Sequence, residues 1–249
     1  MGWSKGQASL ASAVRNSGDA AVVLVAATVE DDLVDTRSLG ALGDELADLL
    51  GLGGLVTLEA AQVAAWWSGV EQLPNRTASI YLRALLLTGA RREELATLTW
   101  GNVDSQWRKL TIADKVDSTR TIPLSAYMAQ LLATLPKTGP FVFASTGKAG
   151  RISDARSSHA AALQEAGIEH LTFHGLRRSF SLLGEAAGAP AGAIAQIMGH
   201  KPSATAEGYR PRSVDALRPF LARIEEHILD LAGVQYDSNT VPGVLRAVV

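Results

Sequence analysis

Two short β-branched runs, Lys109-Leu110-Thr111-Ile112 and Thr119-Arg120-Thr121-Ile122-Pro123-Leu124, are joined by the polar stretch Asp114-Lys115-Val116-Asp117-Ser118. That spacing reads as a hairpin with a polar connection. The sequence around it reads as helix. Helices are expected at 39–50, at 57–69 with Thr57 as N-cap, at 76–88 after Pro74-Asn75, and from Arg91 to Leu98 after Gly89. Further helices are expected at 125–135, 153–166, 174–187, 190–198, 203–209 and 213–232, with Gly or Pro between most of them. The pattern predicts an α+β fold, mainly helical, with a small antiparallel sheet.

The cluster Gly51-Leu52-Gly53-Gly54 interrupts the helical pattern and marks an expected domain boundary. Charge changes across it. Residues 1–54 hold three Lys+Arg against eight Asp+Glu, whereas residues 76–212 hold 17 against 10, so a formal net charge of -2 conceals a basic central segment. A basic excess is the footprint expected of phosphate binding, although many unrelated surfaces carry one of this size. The absence of cysteine excludes disulfides, thiolate metal sites and cysteine nucleophiles. No apolar run approaches the roughly 18 to 20 residues of a membrane span, and the first residues lack a signal-peptide pattern. A cytoplasmic protein with no membrane partner is expected.

Several short motifs carry chemistry. In Thr88-Gly89-Ala90-Arg91-Arg92-Glu93-Glu94-Leu95 a glycine turn feeds a helix start, and Arg91 and Glu94 share a face at i, i+3. The carboxylate is therefore placed to orient the guanidinium. His174 and Arg177 share a face in the same way within His174-Gly175-Leu176-Arg177-Arg178. Met198-Gly199-His200 ends a helix at glycine, and Tyr209 follows nine residues after His200. Each motif alone reads more readily as a solvated helix start, a surface His-x-x-Arg or a packing tyrosine than as a catalytic element. His170 and His174 have the i, i+4 spacing of some zinc pairs, but they straddle the expected helix start and His-Glu-x-x-His is absent, so no metal is expected.

The order of the pieces is more specific: Thr-Gly-x-Arg-x-x-Glu-Leu, a hairpin lysine, His-x-x-Arg, Gly-His, then tyrosine. This set resembles the tyrosine recombinase family over about residues 55–232, most specifically from Leu171 to Arg212. Met198 stands where the family frequently has leucine, and the doublets Arg91-Arg92 and Arg177-Arg178 leave the choice within each pair to motif register. The resemblance implies the DNA breaking-rejoining catalytic fold and a site-specific recombinase or integrase that works through a 3′-phosphotyrosine intermediate. It implies Arg91 and Arg177 as the clamp on the scissile phosphate, Lys115 as general acid, His174 and His200 as proton-transfer and hydrogen-bonding partners, and Tyr209 as nucleophile. Glu94 would support Arg91. No cofactor is implied, because the arginines supply the neutralisation that metal ions give many nucleases.

The resemblance further implies double-stranded DNA attachment sites as partner and a homotetramer on DNA. Residues 1–54 are then expected to be the remnant of a core-binding domain and linker, 55–232 the catalytic domain, and 233–249 a tail that docks on a neighbouring subunit. On this expectation the chain is a fragment. The alternatives are a type IB-like topoisomerase, which would use a similar residue set, a DNA-binding module without catalysis, and a metal-dependent nuclease.

Overall fold

The computed structural model describes residues 56–113, 119–200 and 211–236. The helices expected at 39–50 and 203–209 lie outside those residues, as do Lys115, Tyr209, the segment before residue 56 and the tail after residue 236. A 3-10 turn, Ala60–Gln62, leads into α1 (Val63–Glu71), followed by α2 (Arg76–Thr88) and α3 (Arg92–Ala96). Strands β1 (Val103–Asp104), β2 (Lys109–Ala113) and β3 (Thr119–Pro123) come next. The remaining helices are α4 (Ala126–Ala133), α5 (Arg156–Ala166), α6 (Phe173–Ala186), α7 (Ala191–Met198) and α8 (Val214–Ala232). The fold is mainly helical with a small antiparallel sheet, as the sequence predicts.

Helix α2 is the centre of the core. The Asn75 side chain caps its start by accepting the Ala78 N–H at 3.1 Å, and Gly89 ends it in the left-handed region at φ +58°. Every residue from Ala78 to Thr88 is buried, as befits a helix touched by α1, α3, α4, α5, α6 and α8. Its one deeply placed charge, Arg83, donates to Glu71 at 3.2 Å and to the Ser79 hydroxyl.

Helix α1 departs from expectation at both ends. Thr57 does not cap it; the 3-10 turn intervenes, with the Glu59 N–H donating to Gln62 Oε1 at 3.0 Å. Nor does Gly69 end it. A Cβ there would lie 2.6 Å from the Ala162 carbonyl oxygen, so this glycine lets α5 approach the α1 backbone while α1 runs on to Glu71.

The sheet has the order β1-β2-β3, with Leu110 opposite Ile122 and Ile112 opposite Arg120. Strand β1 was not expected, because two residues carry no readable period. Beyond the sheet, Glu225 of α8 completes the start of α4. Its carboxylate accepts the Ser125 hydroxyl and the N–H groups of Tyr127 at 2.9 Å and Met128 at 3.0 Å, donors that no turn of α4 precedes to satisfy.

Candidate active site

The turn between α2 and α3 is built by Thr88 and Gly89. The Thr88 hydroxyl donates to the Ala84 carbonyl at 2.7 Å and accepts the Ala90 N–H at 3.3 Å. A Cβ on Gly89 would meet Phe180 Cδ1 at 2.4 Å, so close packing and the left-handed backbone both demand glycine here. The chain then enters α3 with Arg91 as its N-cap residue.

Glu94 is buried, 5% exposed, and meets three donors, two from Arg91 on this turn and one from Arg120 of β3. Its Oε2 accepts the Arg91 backbone N–H at 2.8 Å and Arg120 Nη2 at 2.7 Å, while its Oε1 accepts Arg91 Nη1 at 2.7 Å. Burial alone would raise the carboxyl pKa. The hydrogen bond from Arg120, then that from the Arg91 backbone, the Arg120 charge and the Arg91 side chain outweigh it and hold the group at about 2. The i, i+3 pairing of Arg91 with Glu94 that the sequence predicts is therefore present, and a second guanidinium shares it.

Arg177 lies on the inner face of α6, 5% exposed, whereas Arg178 is exposed. Thr172 caps the helix by accepting the Gly175 N–H at 2.9 Å, which sets the phase that turns Arg177 inward. Its Nη1 donates to the Gly89 carbonyl at 2.5 Å and its Nη2 to the Met198 carbonyl at 3.0 Å. Arg120 Nε donates to the neighbouring Ile197 carbonyl at 3.1 Å. The carbonyl end of α7, its negative pole, thus receives two guanidiniums.

Gly199 follows at φ +77°, and a Cβ on it would lie 2.8 Å from Arg120 Nη1. His200 is exposed, and its backbone N–H returns to the Ala195 carbonyl at 2.9 Å. Partial burial, then the charges of Arg177, Arg91 and Arg120 and the His174 imidazole, push its pKa down, so the ring favours the neutral form. His174 itself is exposed on the first turn of α6. Arg91, His174, Arg177 and His200 are thus brought into one electrostatic neighbourhood, with Arg120 among them. Lys115 and Tyr209 lie outside the described residues.

The model of the phage integrase family matches residues 57–214. The chain belongs to the phage integrase family. Prophage integrase IntF of Escherichia coli (strain K12) is 46% identical over 190 residues, which are 73% of this chain and 41% of IntF. The chain therefore spans less than half the length of that relative. Among solved structures, the integrase from mycobacterium phage Brujita superposes with a TM-score of 0.56 at 16% identity, covering 86% of this chain and 82% of that one. The lambda integrase (75-356) dimer bound to a COC′ core site gives a TM-score of 0.50 at 17% identity, covering 85% and 93%. At such identities these likenesses show the fold, which is that of the tyrosine recombinase catalytic domain.

In this phage integrase family chain the sequence reading missed Arg120. One signal was available: residues i and i+2 of a strand share a face, so Arg120 sits on the face of the buried Ile122. A charge on an inward strand face needs a partner, and Glu94 is that partner. Among the described residues no group of three or more His, Asp or Glu is arranged to hold a metal ion, and no helix is long and apolar enough to cross a membrane.

Proposed function

We propose that this chain is the catalytic part of a site-specific DNA recombinase that cleaves and rejoins strands through a 3′-phosphotyrosine link. The observation that carries the reading is that Arg177 donates to the Met198 carbonyl at the end of α7 while the charges of Arg177 and Arg91 and the His174 imidazole all act on His200, just ahead of the segment that leads to Tyr209. A phosphodiester under attack concentrates negative charge on its non-bridging oxygens, and guanidiniums fixed beforehand stabilise that charge without reorganising.

In this reading Tyr209 loses its phenolic proton with help from His174, and its oxygen bonds to the scissile phosphorus. The P–O5′ bond breaks, and the departing oxygen takes a proton from Lys115. His200, kept neutral by its surroundings, donates a hydrogen bond to the phosphate. The phosphotyrosyl ester conserves the energy of the broken bond, so a 5′-hydroxyl from another strand reverses the step and exchanges strands. Double-stranded attachment sites are the substrate, a tetramer on DNA is the working assembly, and the bacterial cytoplasm is the setting.

A nicked suicide duplex tests this. The nick lets the cleaved 5′ fragment diffuse away and strands the covalent adduct. Mass spectrometry of the digested adduct should find DNA on Tyr209, and Tyr209→Phe should leave none. DNA linked to another residue, or cleavage with no link at all, refutes the proposal.

A further inference from the structure

We propose that Arg120 is a positioning residue for the reaction just described, fixing Arg91 through the shared carboxylate of Glu94 and leaving that cluster with a net positive charge. The inference rests on the recombinase reading for its meaning and on geometry for its content. Arg91 paired with Glu94 alone would be a neutral couple, with little field to offer a phosphate. Arg120 adds a second guanidinium to the same carboxylate, at 2.7 Å on Oε2, so the three groups together carry one positive charge. One end of Arg120 is tied to Glu94 and its Nε to Ile197, at the end of α7 just before Gly199 and His200. It therefore sets the spacing between the start of α3 and the end of α7. The absence of a side chain at Gly199 makes room for it.

Lysine at this position would keep the charge but lose the two-ended span, because a single ammonium lacks the separated donors of a guanidinium. Arg120→Met would remove both. The two variants separate charge from span.

The test uses a nicked duplex drawn from a randomised pool by its covalent adduct with the parent chain. A second duplex of the same sequence carries a neutral methylphosphonate at the scissile position. Arg120→Met should slow adduct formation on the phosphate about 100-fold, with DNA affinity held within about threefold, and slow the methylphosphonate by less than about tenfold. Arg120→Lys should recover part of the loss on the phosphate. An equal loss on both substrates means a merely structural role and overturns the proposal, as does an unchanged rate on the phosphate.

A second measurement needs no turnover. The 13C carboxyl resonance of Glu94 should be silent down to about pH 4 in the parent chain and titrate above it in Arg120→Met. An unchanged Glu94 titration overturns the coupling. A parent chain that forms no adduct with any duplex sinks the recombinase reading, while the Glu94 titration still decides the link to Arg120.

Discussion

The side chain of Gln196 and the backbone of Arg212 close a two-bond ring: the amide N–H donates to the Arg212 carbonyl at 2.7 Å, and the amide oxygen accepts the Arg212 N–H at 2.9 Å. Arg212 follows Tyr209 by three residues, so this ring fixes the chain just downstream of the proposed nucleophile. Gln196→Leu leaves both backbone groups without their partners and should cost about 1–3 kcal/mol in urea denaturation. Adduct formation should fall with it. Gln196→Glu, which keeps the acceptor and loses the donor, should fall between the two. Equal stability in all three proteins would show that the ring contributes nothing.

The left-handed glycines form a graded series. Gly233, at φ +70° with nothing near its Cβ position, should lose about 1 kcal/mol on substitution by alanine, from backbone strain alone. Gly199→Ala adds the collision with Arg120 and should lose about 2–3 kcal/mol, together with recombination chemistry. Gly89→Ala collides with the Phe180 ring and should lose about 3 kcal/mol or more. Thermal denaturation of the three variants checks the order Gly233, Gly199, Gly89.

The arginine doublet at 177–178 divides by burial. Arg177→Lys cannot reach the Gly89 and Met198 carbonyls together, and its adduct rate should drop about 100-fold. Arg178 is exposed, and Arg178→Lys should stay within about threefold. Single-turnover kinetics on the suicide duplex would reveal a reversed order.

His159 gives a pH dependence. The ring is buried, accepts the Trp66 indole N–H at 3.5 Å and lies against Phe173. Burial, then the charge of His170, lowers its pKa from 6.5 to about 4. The unfolded chain takes up a proton below 6.5 that the folded ring refuses until about 4. The stabilisation is therefore complete above 6.5, declines through that window by at most about 1.4 kcal/mol per pH unit, and then levels off. His159→Gln, which keeps an acceptor for Trp66 and does not titrate, should lose less stability between pH 7 and pH 5 than the parent chain. Parallel denaturation curves for the two proteins across that range would contradict this.

What the sequence reveals depends on how far apart the partners are. Helix α2 was legible to the residue because Asn75 and Gly89 are local signals acting within one turn. Arg91 with Glu94 was legible for the same reason, three positions being one helix face. Gly69 misled, since the reason α1 continues through it is a carbonyl on α5, 93 residues away at Ala162. Arg120 was missed because its partners, Glu94 and Ile197, are 26 and 77 positions distant and no local period announces them. Likewise nothing local to the helix expected at 125–135 announces that a carboxylate 100 residues beyond Ser125 completes the start of α4.

The two bonds of Arg177 have a dynamic consequence. They join the end of α2 to the end of α7 across 88 and 21 positions of sequence, through a side chain sealed from solvent. Neither helix end frays without breaking a charged, buried contact to the other, so these elements belong to one cooperative opening unit. Slow amide deuteration near Gly89 and near Met198 would then share one protection level, close to that of complete unfolding. Substrate would meet a clamp assembled before it arrives.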